Sequence, residues 1–144
     1  MAGLSVEEIF GESLKSGKLL EAFEMRSILK INKRDGSFNT VPLDYRFQFA
    51  PVNSFLSADF NGDGIKDLLA GGNFYGVLPF EGRYDGMMPA LLINMGNGDL
   101  KYEADKELMK LSGEVRDMKA IRLAGNRRAV LVARNNESLQ LLEY

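Results

Sequence analysis

The residues best suited to chemistry in this sequence lie between Asp59 and Asp67, which reads Asp59-Phe60-Asn61-Gly62-Asp63-Gly64-Ile65-Lys66-Asp67. Oxygen side chains stand at the first, third, fifth and ninth places, and glycines at the fourth and sixth. Short oxygen side chains on alternate residues can wrap a hard cation, and the glycines allow the positive φ such a wrap requires. Calcium takes about six to eight oxygens. Asp59, Asn61, Asp63 and Asp67, with the backbone carbonyl of Ile65, are the expected ligands. Three carboxylates more than offset a divalent charge. Magnesium, which demands a tight octahedron and keeps its waters, suits the loop less. The stretch is not an EF-hand, because the twelfth position is Ala70, where that motif has a bidentate Glu. The same residues are also the ordinary vocabulary of metal-free turns.

A second group falls in the Gly- and Pro-containing link from 71 to 89: Phe74, Tyr75, Arg83, Tyr84 and Asp85. Aromatic rings beside an arginine on a loop can stack on a sugar or anchor a protein partner. The alternative is that they plug the loop onto a sheet, with Arg83 and Asp85 paired locally. Arg127 and Arg128 read as a solvated step in a turn. Asp99, Glu103, Asp105 and Glu107, interleaved with lysines, read as a mixed charged surface.

Much chemistry is excluded outright. The 144 residues contain no Cys and no His, so disulfides, thiolate nucleophiles, imidazole bases and Cys/His zinc sites are impossible. The net charge of −2 gives no electrostatic reason to expect nucleic acid. No run approaches the roughly 18 apolar residues of a membrane helix. Met1–Glu8 lacks the basic-then-apolar pattern of a secretory signal.

The elements that must position these residues are mainly strands. A helix is expected over 5–17, with Ser5 and Glu8 forming a capping box, Leu4 and Ile9 a hydrophobic staple, and Val6, Ile9, Phe10 and Leu14 one apolar face. The period then changes to two: Leu19, Phe23, Met25, Leu29 and Ile31 share a parity, as in one long strand or two short ones. Asp35-Gly36 is a hairpin turn signal. Short apolar runs follow at 55–58, 68–70, 90–93, 118–123, 129–133 and 139–142. The flanks of the oxygen-rich loop are thus strands, so the loop closes a β-hairpin.

The chain also repeats itself weakly. Ile31-Asn32 before Gly36 and Phe38 recurs as Ile93-Asn94 before Gly98 and Leu100, and Leu69 and Asn73 recur as Leu131 and Asn135. Every match holds one offset, 62 residues, which is the size of a four-stranded propeller blade. The second copy of the oxygen-rich loop, Arg122 to Ala129, is shorter and has no carboxylate. One calcium site is expected, not two.

At these residues the chain resembles a known family. Ala58 to Leu69 is similar to the calcium-loop core of an FG-GAP/VCBS-type repeat. Gly72-Asn73-Phe74-Tyr75-Gly76-Val77, Gly82-Arg83-Tyr84-Asp85, Gly113 to Asp117 and Ala133 to Asn136 resemble the last blades of large exported bacterial FG-GAP proteins, many of which carry an ASPIC/UnbV-type domain. The resemblance implies a mainly β fold of about two propeller-like blades of antiparallel sheet with a short N-terminal helix. It divides the single domain 1–144 into the helix at 5–17, a partial blade at 19–50, a full blade with the calcium loop at 51–110 and a partial blade at 111–144. It implies an exported protein, extracellular, periplasmic or outer-membrane associated, of which this chain is the C-terminal part. The function implied is a non-catalytic, calcium-binding interaction module for protein or glycan. The alternatives are an ancillary part of a carbohydrate-active enzyme, and purely structural blades. Unclosed sheets are expected to self-associate through edge strands, above all at Leu139–Leu142.

Overall fold

A computed structural model describes residues 3–18, 20–104 and 107–144. The fold is mainly β, with three antiparallel sheets and one short N-terminal helix. Strands β1 (Ile28–Asn32) and β2 (Phe38–Pro42) form a hairpin. Strands β3 (Val52–Ala58), β4 (Asp67–Gly72), β5 (Ala90–Asn94) and β6 (Leu100–Glu103) form a four-stranded meander. Strands β7 (Val115–Arg122), β8 (Arg128–Arg134) and β9 (Gln140–Glu143) form a three-stranded one. Among the described residues no helix is long and apolar enough to cross a membrane.

The central sheet is covered on both faces. Alternation along β4 and β5 sends Leu69 and Leu91 to one side, where they pack with Leu108, Leu111, Val115, Met118, Val130, Val132 and Leu142 of the third sheet and its approach. Leu68, Ala70, Ala90 and Leu92 face the other side, against Phe47, Met87 and Leu43. Burial on two faces explains why β4 reads as a continuous apolar run rather than an alternating one. The hairpin β1–β2 lies beyond this second face, across a groove lined by Leu29, Ile31 and Val41 on one wall and Leu92, Leu100 and Tyr102 on the other.

The N-terminal third departs from expectation. Ser5 caps α1 (Val6–Phe10), with both bonds of the capping box present. The α-helix nevertheless ends at Gly11, whose φ of 49° breaks the right-handed series, and a 3-10 segment continues to Ser16. Val6, Ile9, Phe10 and Leu14 remain 42–56% exposed, because among the described residues no sheet packs on their face. The strand pattern read over 19–31 yields a strand only from Ile28 onward. Phe23 and Met25 are 89% and 83% exposed, so the shared parity there has no sheet to face. Leu19 lies outside the described residues, as does Asp105 of the acidic stretch. Strand β6 is not an apolar run because it alternates: Leu100 and Tyr102 are half-buried, Lys101 and Glu103 exposed.

Candidate functional site

The oxygen-rich loop joins β3 to β4, whose register runs from Ala58↔Asp67 to Val52↔Gly72. Its side chains fold back on its own amides. Asp59 accepts the N–H groups of Gly62 at 2.6 Å and Gly64 at 3.1 Å. Asn61 Oδ1 accepts from Asp63 N at 3.0 Å, and Asp63 Oδ1 from Ile65 N at 2.7 Å. The Asn61 amide also donates to Asp63 Oδ2 at 2.9 Å. That bond, with the Ile65 N–H behind it, holds the Asp63 carboxyl below its ordinary pKa. Gly62 and Gly64 sit at φ 83° and 86°, the left-handed region the wrap requires.

Asp67 differs from the other three. It is 1% exposed, and its two oxygens accept from Phe60 N and Asn94 N, each at 2.9 Å. It therefore ties the loop's entry and the end of β5 to the foot of β4. The third sheet braces the loop as well. Arg128 donates to the Asp59 carbonyl at 2.7 Å and lies over the Tyr144 ring, which in turn packs on Phe60 with centroids 4.5 Å apart. Arg128 is thus a brace, not the solvated turn residue its sequence suggested. Arg127 beside it pairs with Glu143 at 2.8 Å on the surface.

The donor set is all oxygen, the chemistry a hard cation selects. Among the described residues no three acidic side chains are gathered into a metal-holding group, so any site here depends on Asn61 and the Ile65 carbonyl as well as carboxylates. A carboxylate oxygen that accepts one N–H keeps a second lone pair, so the hydrogen bonds above are compatible with ligation.

The aromatic group is organised by a small ladder. Phe74 and Tyr84 exchange backbone hydrogen bonds at 2.9 and 3.0 Å, which closes the link between β4 and β5. Arg83 does not pair with Asp85. Its guanidinium lies over the Tyr75 ring, 4.9 Å from the centroid, and among the described residues it has no ion pair. Burial, followed by the charges of Glu137 and Asp85, pushes the Tyr75 phenol above its ordinary pKa. Tyr84 is on the far side, 47% exposed, beside a separate shallow pocket with Phe49.

The third sheet completes the Tyr75–Arg83 surface. Glu114, Asn135, Asn136 and Glu137 line one cleft with Tyr75, Gly76 and Arg83. Glu114 is 1% exposed. It is ion-paired with Arg116 and accepts from Asn135 Nδ2 at 2.9 Å, while Glu137 is paired with Arg134 at 2.6 Å. The sequence reading assigned no role to Glu114, Asn135, Asn136 or Glu137. Glu114, Asn135 and Asn136 fall in the segments 113–117 and 133–136 that carry the family resemblance, and Asn135 also repeats Asn73, whereas Glu137 carries no such signal. Set against family models, curated proteins and solved structures, the chain matches none of them.

Proposed function

We propose that the chain is a non-catalytic β module of an exported protein, braced by one calcium ion at the Asp59–Asp67 loop and meeting a protein or glycan through the Tyr75–Arg83 cleft. The observation that carries this reading is Asp67, a carboxylate 1% exposed with no cationic side chain paired to it among the described residues. A buried charge without a counter-charge is costly, and two N–H donors offset only part of that cost. A cation held by Asp59, Asn61, Asp63, Asp67 and the Ile65 carbonyl supplies the remainder. A loop as exposed as this one fits the weak, roughly millimolar affinities of extracellular calcium modules.

Blade-type units are supported by the sheet sizes and by spacing. β1 and β2 start at 28 and 38, β5 and β6 at 90 and 100, the same 62 residues on. Each unit also carries a bulge in its first strand, between Val52 and Ser54 and, 63 residues on, between Val115 and Asp117. The absence of His and Cys supports the non-catalytic reading, as does the pairing of both cleft glutamates with arginines. Arg83 keeps its edge N–H groups for a partner's oxygens while its face rests on Tyr75.

The test is thermal unfolding in calcium and in chelator. At 100 times Kd, calcium adds about 2.7 kcal/mol, and Asp63→Ala abolishes the response. An unchanged melting temperature rejects the calcium site. Arg83→Ala, screened with the wild type against glycans and proteins, tests the cleft separately.

A further inference from the structure

β5 is paired along both edges and β1 along one. β5 lies between β4 and β6, whereas β1 has β2 on one side and no strand on the other among the described residues. The two strands match in their closing residues, their turns and their hairpin register. Their sequences are Ile-Leu-Lys-Ile-Asn and Ala-Leu-Leu-Ile-Asn. Each ends on an Asn whose side-chain oxygen accepts the N–H two residues ahead, Arg34 at 2.8 Å and Gly96 at 3.0 Å. Each turns through a glycine at positive φ, Gly36 or Gly98, into its hairpin partner, with Asn32↔Phe38 and Asn94↔Leu100 opposed. The first cross-turn bonds also correspond: Lys33 N to Ser37 O at 3.1 Å and Met95 N to Asp99 O at 3.0 Å.

Those bonds fix which amides face outward. Lys33 bonds inward, and Leu43 N donates to Ser27 O at 3.0 Å at the other end, so by antiparallel alternation Ile31 and Leu29 bond inward too. Ile28, Lys30 and Asn32 therefore direct their N–H groups at the open edge. In β5 the equivalent groups are satisfied by β4. Ala90 and Leu92 pair with Ala70 and Leu68. Asn94 donates its backbone N–H to Asp67 Oδ1 at 2.9 Å and its side-chain amide to Lys66 O at 3.2 Å. Asn32 has the same groups in the same orientation and no acceptor for them among the described residues.

We propose that the open edge of β1 is a docking site for one antiparallel strand headed by an aspartate, which sets its carboxylate on the Asn32 N–H as Asp67 does on Asn94. The partner is an extended segment of the pattern Asp-apolar-apolar-small. It is not the β4 of a second folded copy, because β4 is already paired on both edges. Backbone hydrogen bonds supply affinity in such strand addition, and the aspartate supplies register. The inference rests on strand geometry and is independent of whether the Asp59–Asp67 loop takes calcium.

The experiment fuses a second copy of residues 66–72 ahead of Met1 through a flexible Gly/Ser linker, which keeps it at high effective concentration. Amide exchange is followed by NMR. Exchange at Ile28, Lys30 and Asn32 should slow by about tenfold or more relative to the unfused chain, while Leu29 and Ile31, already bonded to β2, change less. Asp67→Ala made in the fused copy alone should remove the protection at Asn32. Equal exchange in fused and unfused chains overturns the proposal. So does protection at Asn32 that survives the alanine. Protection that grows with concentration in the unfused chain overturns it as well, since the edge would then belong to a second copy.

Discussion

Asp67 Oδ1 accepts the backbone N–H of Asn94 at 2.9 Å, across the foot of the central sheet. One side chain thereby replaces a strand–strand bond at the point where the β4–β5 ladder, which pairs Leu68 with Leu92, has run out. Its other oxygen does the same for Phe60 at the loop entry.

Asp67→Ala leaves two N–H groups without their acceptor at a buried position. Unfolding by urea, in chelator so that no metal contributes, should show a loss of about 2–4 kcal/mol. Asp67→Asn should lose less, because one acceptor oxygen remains. A loss below about 0.5 kcal/mol for the alanine would mean that water replaces the carboxylate.

Gly72 is fixed by its surroundings rather than by its φ. A Cβ there would stand 2.0 Å from the Pro51 carbonyl and 2.7 Å from Met87 Sδ. The methionine can move, but Pro51 cannot easily, since its carbonyl receives the Asn73 N–H at 3.0 Å. Gly72→Ala should cost about 2–4 kcal/mol in urea, at or above the usual range for overpacking. Gly62→Ala, with open space around it but φ at 83°, should cost about 1 kcal/mol from backbone strain alone.

Glu114 links Arg116 to Asn135 beneath the Tyr75–Arg83 cleft. Glu114→Ala should destabilise by about 1–3 kcal/mol. The figure falls short of a fully buried ion pair because Arg116 is 44% exposed and can return to water. Asn135→Ala in the same background should cost less than it does alone, which a double-mutant cycle measures.

Asp63 contributes a pH dependence to the loop. Its folded pKa is depressed, so its contribution is present above the unfolded carboxyl value and is lost as pH falls through the folded one. Carboxyl NMR titration should place Asp63 below an ordinary aspartate. Asn61→Ala, which removes the main cause, should raise it. A titration midpoint unchanged by Asn61→Ala would assign the shift elsewhere.

Local chemistry was legible from the residues alone. Ser5 and Glu8 announce the capping box, Asp35-Gly36 the first hairpin, and the six apolar runs from Phe55 onward mark strands that the structure contains. These features are set by neighbours in the chain, within a turn or a two-residue alternation. The long-range features were not legible. Val6, Ile9 and Phe10 make an apolar face, but a face is buried only if another element lies against it, and among the described residues none does. Phe23 and Met25 keep strand parity with no strand beside them among the described residues. Arg128 looked like solvent-facing turn chemistry until the third sheet placed it under Asp59, 69 residues away. Glu114 and Asn135 meet Tyr75 only because two sheets pack, and the open edge of β1 among the described residues is read only by comparison with β5, which shows what the other side of such a strand holds. Periodicity records which side of a strand is apolar. The contacts between sheets decide what that side, and each edge, is set against.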